Sequence, residues 1–453
     1  MTFEPPPEFA PLASPATAAA AAPAVQRRLR LANRLPLAVL IGAVIAQIFD
    51  PSRVWVGLIL GMAALLGFCY FWARMLRDHV TARREQRGSW VVVGDVLTEV
   101  FTVENHTDLP LLWAEVVDQS ELPGYRAEWV ATVGANAAQS YETHGRCEHR
   151  GVFRLGPWKL LMSDPLGLFE VVHEMGDARA VLVYPRAMHL PNLQLPRGDA
   201  PGAARTSRRT PQFTISASSV RSYVPGDSIR RVHWPRTAHR GELMVKEFDL
   251  EPSGDLWLVL DLDQSVHVGV GAQSTLEYGV TLAASLAAQM LADNRRVGLA
   301  AFGQQAGLVM PQAGKLQLWR ILDVLAHAQP KAGLSLSQVL RDLRVNVGRG
   351  RTVVVITPSA EPAWVVELLT LARQGNAPAA ILLDGQSFVA APAADAAPIL
   401  AVRSLLAEQG IPGHVIDRQF VFQPLQRIRR TRTELKTLYG TGRVVAVEVE
   451  ELV

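Results

Sequence analysis

Two long apolar runs near the amino terminus dominate the hydrophobic pattern. The first, LPLAVLIGAVIAQIF, covers residues 35–49, and the second, VWVGLILGMAALLGFCYFWA, covers 54–73; neither contains a charge. At ~1.5 Å per residue the second helix spans about 30 Å, the thickness of a bilayer's hydrocarbon core, whereas the first reaches about 22 Å and needs Leu31, Ala32 and Arg34 to cross. We therefore predict a membrane hairpin. A buried hairpin in a soluble core and, for the first run, a cleaved signal peptide are the rival interpretations.

The pattern changes twice after the hairpin. Residues 88–185 alternate apolar and polar positions between Gly- and Pro-rich turns, as in WVVVGDVLTEVFTVEN, which predicts a small β-sandwich. Residues 254–440 alternate apolar strands such as LWLVLDL and TVVVIT with helical stretches, which predicts a Rossmann-type α/β domain with a parallel sheet covered on both faces. The chain is therefore multi-domain. Before the β-sandwich we predict a flexible Ala- and Pro-rich tail at 1–30 and two transmembrane helices within 31–77. After it we predict a linker at 190–212 and a segment at 213–253 that leads into the α/β domain.

The distribution of charge predicts how the chain lies in the membrane. Its net charge is +3, yet residues 26–90 hold ten arginines against three acids, so the remainder is net negative. Arginines flank both ends of the hairpin, and only Asp50–Arg53 joins its two helices. The positive-inside rule then predicts an inner (cytoplasmic) membrane protein whose soluble domains lie on the cytoplasmic side. Nucleic acid is not an expected partner, although the basic stretches 205–246 and 427–436 keep a binder of anionic lipid or nucleic acid as an alternative.

The strand end Asp261-Leu262-Asp263-Gln264-Ser265 is the sharpest candidate site. Carboxylates and hydroxyls are the ligands that a hard cation prefers, so Asp261, Asp263 and Ser265 form a candidate, degenerate Mg²⁺ site; the alternative is that the acids cap the loop and helix that follow. Asp-x-Asp after an apolar strand also begins the haloacid-dehalogenase-like phosphatases, with Asp261 as nucleophile and Thr357 in their second motif. The closing pair of acids of that pattern is missing, as are a Gly-x-Ser-x-Gly, a His-Glu-x-x-His and a phosphate loop. We therefore predict no catalytic residues and no enzyme activity.

Residues 220–263 resemble the bacterial family called domain of unknown function 58. The family's hallmarks are a Tyr-x-Pro-Gly-Asp turn, an Arg-x-x-His-Trp segment and a Val-Lys-Glu step into a von Willebrand A-like domain. They stand here at Tyr223, Pro225, Gly226, Asp227, Arg230, His233, Trp234 and Lys246. Pro225 and Gly226 also suit the centre of a type II turn, and Asp227 suits a helix cap. The signature is accordingly interpreted as structural or partner-binding.

The resemblance implies both a site and a set of partners. In von Willebrand A domains an Asp-x-Ser-x-Ser motif ligates Mg²⁺; here Asp263 replaces the first serine, and Ser335 and Thr357 lie near the positions of the fold's threonine and aspartate. Relatives are commonly encoded beside MoxR-type AAA+ ATPases and transglutaminase-like membrane proteins. The expected function is a membrane-anchored scaffold, in contact with the lipid bilayer, that acts with a MoxR-type AAA+ ATPase in the assembly or maturation of envelope complexes.

Overall fold

The computed structural model describes eight stretches of the chain: residues 25–86, 90–190, 217–223, 232–248, 255–389, 398–424, 429–437 and 444–452. The chain divides into two compact units, of which the first covers Pro5–Arg186 and the second consists mainly of Ala187–Val453. Apart from residue 190, the predicted linker at 190–212 lies outside the described residues, as does most of the predicted tail.

The predicted hairpin forms two helices, α1 (Leu35–Phe49) and α2 (Arg53–His79). Pro36 lies in the first turn of α1, where its missing N–H removes no helical hydrogen bond. Ser52 caps α2, because its hydroxyl accepts a hydrogen bond from the Val54 amide at 3.2 Å. The long apolar helix predicted over the second run is confirmed: α2 is long and apolar enough to cross a membrane, whereas α1, with 15 residues, is shorter.

A strand precedes the hairpin, where a flexible tail had been predicted up to residue 30. This strand, β1 (Gln26–Leu31), pairs antiparallel with β10 (Phe169–Met175). Arg30 stands opposite Glu170, with 2.7 Å between Nε and Oε2. The prediction for residues 26–30, and the use of Leu31 to lengthen the first helix, are therefore wrong. The alternation of leucine and arginine suits a half-buried strand. The acids that pair with the arginines, however, lie on β10, far away in sequence, so the alternation alone does not reveal the pairing.

The β-rich unit is completed by ten strands after the hairpin. They form three sheets, ordered β1-β10-β9-β5-β6, β2-β4-β7 and β3-β11-β8. Their bounds are β2 (Val80–Gln86), β3 (Trp90–Val92), β4 (Val96–Asn105), β5 (Leu111–Asp118), β6 (Trp129–Val133), β7 (Ala137–Arg146), β8 (Gly151–Leu155), β9 (Trp158–Ser163), β10 and β11 (Arg179–Tyr184). Phe101 of β4 meets Trp158 of β9 edge to face at 5.2 Å, within one apolar core. The prediction of a β-rich region is confirmed.

The hairpin is joined to this β-rich unit at both ends. β1 leads into α1, and α2 continues directly into β2. The last turns of α2 belong to the core, because Ala73 and Leu76 are fully buried. Nearer the tip the apolar side chains are bare, since Val54 is 75% and Leu60 65% exposed. Only the lower part of α2 is therefore covered by described protein.

The second unit is built on a six-stranded sheet of order β17-β16-β15-β18-β19-β20, parallel except for β17. Its strands are β15 (Leu256–Leu260), β16 (Val297–Phe302), β17 (Ala306–Gln312), β18 (Thr352–Thr357), β19 (Ala377–Leu383) and β20 (Gly413–Ile416). Its helices are α4 (Thr275–Ala292), α5 (Lys315–His327), α6 (Leu336–Val347), α7 (Ala363–Arg373) and α8 (Pro398–Glu408). Leu260 and Ile356 face Gly279 of α4, whereas Trp257 and Val355 share a core with α6, α7 and α8. The sheet is therefore covered on both faces, as its apolar strands predicted.

Three shorter pairings complete the described part of this unit. β12 (Met188–His189) pairs with β21 (Gln423–Pro424). β13 (Ala217–Ser222) pairs with β14 (Met244–Phe248), and the helix α3 (Trp234–Arg240) precedes β14. A last hairpin joins β22 (Arg429–Thr437) to β23 (Val444–Leu452), so strand structure continues past the predicted end of the α/β domain at residue 440.

Candidate functional site

The order of the strands marks one edge of the α/β sheet as a place for a ligand. The chain builds outwards from β15, first to β16 on one side and later to β18 on the other. Ligands of open α/β sheets bind beyond the carboxyl ends of the strands at such a switch point. Asp261 directly follows β15, and Thr357 is the last residue of β18. The motif singled out in the sequence therefore lies where the topology favours a site.

Asp261 ties the two central strands together. It is only 3% exposed, and its Oδ2 accepts a hydrogen bond from Thr357 Oγ1 at 2.6 Å. Its Oδ1 accepts a second bond from the Asp263 amide at 3.1 Å. Burial disfavours the charged form and raises the pKa of Asp261 to about 6, although the two hydrogen bonds act in the opposite direction.

Asp263 and Ser265 are brought close to Asp261 but bond chiefly to each other. Asp263 Oδ1 accepts hydrogen bonds from the Ser265 amide at 3.0 Å and the Ser265 hydroxyl at 2.9 Å. The donor set fits Mg²⁺ in ligand type, and three of its four carboxylate oxygens also accept hydrogen bonds from protein. In the part of the chain that the structure describes, no group of three or more His, Cys, Asp or Glu side chains is placed to hold a metal ion.

A braced loop, residues 266–274, lies directly after this motif. His267 bonds to Thr275 Oγ1 through Nδ1 at 3.1 Å and to the Asp261 carbonyl oxygen through Nε2 at 3.0 Å. Thr275 also accepts from the Val268 amide at 3.0 Å and donates its own amide to the Val268 carbonyl at 2.9 Å. These bonds join the two ends of the loop and tie it to the end of β15.

The braced loop presents a bare apolar side chain. Val270 is 90% exposed. Gly269 before it has φ +90°, and a Cβ there would lie 2.6 Å from the Gln273 carbonyl oxygen, so the turn requires glycine. We did not predict this loop. The alternation of valine and glycine in HVGVGA, immediately after the acidic motif, is the signal that could have found it.

The described residues of the family signature lie around α3 and β14. His233 caps α3, since its Nδ1 accepts from the Arg236 amide at 3.2 Å, and Trp234 is 62% exposed. The Tyr223 amide donates to the Leu243 carbonyl at 2.8 Å. Lys246 lies on β14 opposite Val220, whereas the predicted turn and cap residues lie outside the described part of the chain: Pro225, Gly226, Asp227 and Arg230.

Comparison with known proteins identifies the class to which this site belongs. Residues 219–384 match the family model described as "Protein of unknown function DUF58", and this stretch contains the signature and the strand edge with Asp261. The chain is also 28% identical over 195 residues to a Bacillus subtilis protein named "Uncharacterized protein YeaD"; the match covers 43% of this chain and 46% of that protein. The resemblance to the DUF58 family is confirmed over residues 219–384. The chain thus matches about half the length of this curated relative.

Solved structures resemble only parts of the chain. The CARDB domain of the PF1109 protein from Pyrococcus furiosus, in complex with di-metal ions, matches 23% of this chain and 91% of that domain at 12% identity, with a TM-score of 0.17. The alkylpurine DNA glycosylase AlkC of Pseudomonas fluorescens matches 33% of this chain and 42% of that protein at 17% identity, with a TM-score of 0.16. Likeness at this level carries no argument about the site.

Proposed function

We propose that this protein is a membrane-anchored interaction subunit that binds a protein partner at the carboxyl edge of its α/β sheet. The braced loop carries the proposal. Val270 is 90% exposed on a loop that the hydrogen bonds of His267 tie to the end of β15, and an exposed apolar side chain presented in this way suits the anchor of a protein-binding surface.

The arrangement of Asp261 favours binding over catalysis. A nucleophilic carboxylate must be open to its substrate, but both oxygens of Asp261 accept hydrogen bonds and the residue is 3% exposed. The phosphatase alternative therefore gains no support from this geometry. Within the proposal, the carboxylate holds β15 and β18 in place beneath the binding edge.

The family resemblance supplies the partner. The sheet order with its switch point is compatible with a von Willebrand A-like domain, and on that interpretation the partner is a MoxR-type AAA+ ATPase. A transglutaminase-like membrane protein is a second partner in the same proposal. The assembly would serve the maturation of envelope complexes.

The hairpin supplies the membrane anchor. The apolar side chains of α1 and the upper part of α2 are exposed on the described protein, as Phe49 at 84% and Val54 at 75% illustrate, and a bilayer would cover them. Both ends of the hairpin enter one folded unit, so both must lie on the same side of the membrane. The arginines that flank them favour the cytoplasm as that side, where ATP would be available to the partner.

The test is capture of a purified MoxR-type AAA+ ATPase by the full chain in detergent micelles, with and without Mg²⁺. Val270→Asp should reduce capture at least tenfold, because it places a charge on the apolar anchor. Val345→Asp is the matched control: Val345 is 87% exposed but lies near the end of α6, so capture should be unchanged.

The outcomes separate the parts of the proposal. Capture that falls equally in both variants, or in neither, would contradict the assignment of the surface, and no capture by the unaltered chain would contradict the partner. Capture that depends on Mg²⁺, and loses this dependence in Asp263→Asn, would support a metal at the edge. Capture unaffected by Mg²⁺ would exclude that role.

A further inference from the structure

The β-rich unit contains a buried group of charged side chains that the proposed function does not use. Arg84 of β2 makes two bonds to Glu99 of β4, at 2.9 Å from Nε and 2.5 Å from Nη2. Its Nη1 donates to Asp118 Oδ1 at 3.0 Å. All three side chains are at most 3% exposed. The Tyr125 hydroxyl also donates a hydrogen bond to Glu99.

The charges of this group do not balance. One guanidinium faces two carboxylates, which leaves one negative charge in excess. Glu99 accepts two hydrogen bonds from Arg84 and one from the Tyr125 hydroxyl. Asp118 Oδ2, in contrast, is buried without a hydrogen-bond partner in the described protein, so the excess negative charge lies on the Asp118 side. A buried carboxylate oxygen without a donor is costly, so a donor from outside the protein is expected there.

A pocket lies where such a donor could enter. It has a volume of about 780 Å³ and is bounded by the end of β5, the segment that leads to β6, and β7. Asp118 and Ser120 line it together with Tyr125. Ser120 Oγ already accepts two hydrogen bonds, from Arg84 Nη2 at 3.2 Å and from the Gly156 amide at 2.9 Å.

The remaining charged residues of the pocket offset one another. Arg126 and Glu128 both line it and both are exposed, so one positive and one negative charge stand toward solvent. His144, also exposed, is bonded through Nδ1 to Thr98 Oγ1 at 3.2 Å. The buried excess negative charge therefore determines which ligand the pocket favours.

We propose that this pocket binds an alkylammonium group of the size of a lysine side chain. The ammonium would donate to Asp118 Oδ2 and neutralise the excess charge, and its methylene chain would lie along Leu122 and Tyr125. A charge-assisted hydrogen bond is stronger than one between neutral groups. The pocket should therefore favour an ammonium group over a neutral group of equal shape. The group can belong to a lysine of a partner protein or to a free amine.

The test is ligand-observed saturation-transfer NMR on the full chain in detergent micelles. The probes are Nα-acetyl-lysine methylamide for a peptide-borne lysine, cadaverine for a free amine, and Nα-acetyl-norleucine methylamide as the neutral analogue. At least one ammonium probe should bind about tenfold more tightly than the norleucine probe. Whichever binds more tightly, the lysine probe or cadaverine, identifies the source of the group.

Variants locate the binding. Asp118→Asn leaves one guanidinium with one carboxylate, a balanced pair that keeps the Oδ1 acceptor for Arg84, so the fold should persist while ammonium binding falls about tenfold. Glu128→Lys, at an exposed position, should weaken binding without touching the buried group. Asp108→Asn is the control, because Asp108 is exposed and precedes β5, whereas Asp118 ends it.

The proposal would be overturned by equal binding of the ammonium and norleucine probes, by no detectable binding of either ammonium probe, or by unchanged binding in a folded Asp118→Asn protein. An equal loss in Asp108→Asn would overturn it too. The pocket and its three variants lie wholly in the β-rich unit, so none of these outcomes depends on the Val270 surface.

Discussion

Asp261 is the buried side chain whose protonation should affect the α/β unit most. Its pKa is raised to about 6, mainly because burial disfavours the charged carboxylate. In an unfolded chain the same group ionises near its ordinary value of 3.8. Between these two values the folded protein keeps a proton that the unfolded chain has lost. Folding stability therefore falls as the pH rises from about 4 to about 6, by roughly 3 kcal/mol in total.

Asp261→Asn should remove this loss, because an amide does not ionise. Relative to the unaltered chain, the variant should gain about 2 kcal/mol or more in unfolding free energy between pH 4.5 and pH 7. The measurement is urea unfolding of both full chains in detergent micelles at the two pH values. Asp293→Asn, an exposed acid after α4, should show no such gain, and a constant difference between Asp261→Asn and the unaltered chain would contradict the assignment.

The contact between α2 and β10 depends on a histidine with the opposite behaviour. His173 is fully buried on β10, and its Nε2 bonds to the carbonyl oxygen of Arg77 near the end of α2 at 3.1 Å. Burial, assisted by the charge of Arg27, lowers the pKa of His173 to about 4. The neutral ring is therefore part of the joint by which the hairpin is attached to the β-rich unit.

Acid should weaken this joint. The unfolded chain takes up a proton on His173 near pH 6.5, whereas the folded protein does so only near 4, so stability falls as the pH drops through that window, by roughly 3 kcal/mol in all. His173→Gln keeps a donor for the Arg77 carbonyl but does not titrate, so thermal unfolding of the variant should depend less on pH between 7 and 5. His149→Gln, at an exposed position, should leave the pH dependence unchanged. The same pH dependence in all three proteins would exclude His173 as its source.

Some of the helices and strands could be predicted from the sequence, and others could not. The helix α2, the strands β15 and β18 and the helices α4, α5 and α7 were predictable, since long apolar runs and helical periodicity are local properties. The buried residues of the helix α6 also recur at helical spacing, at Leu336, Val339, Leu340, Leu343 and Val347. The strand β1, by contrast, was missed, because only its pairing with β10 identifies it as a strand.

The whole chain has one testable arrangement in the membrane. Because β1 and β2 belong to one folded unit, the residues before α1 and after α2 are expected on the same side of the membrane, and the positive-inside rule predicts that this side is the cytoplasm. The tip between the helices reaches the opposite side only if α1, at 15 residues, crosses with local thinning of the bilayer.

Single cysteines introduced at Asn33, Pro51 and Thr81 would test this arrangement with a membrane-impermeant maleimide. Asn33→Cys and Thr81→Cys should label in inside-out vesicles and not in right-side-out ones. Pro51→Cys should label only in right-side-out vesicles if α1 crosses, and in neither if it stops short. The parent chain is the control, since Cys69 and Cys147 are buried. Labelling of Asn33→Cys and Thr81→Cys from opposite sides would contradict the arrangement.

The sequence by itself determined the hairpin, the β-rich and α/β regions, the DUF58 resemblance and the acidic strand end, because each of these is a pattern of neighbouring residues. Only the tertiary structure decided what surrounds them. Asp261 meets Thr357 across 96 residues, and Arg84 meets Asp118 across 34, so neither the closed carboxylate nor the unbalanced pocket is visible in a local pattern. The exposure of Val270 likewise depends on bonds that close its loop in space. Burial and pairing of charge are properties of the folded chain, so no pattern of neighbouring residues reports them.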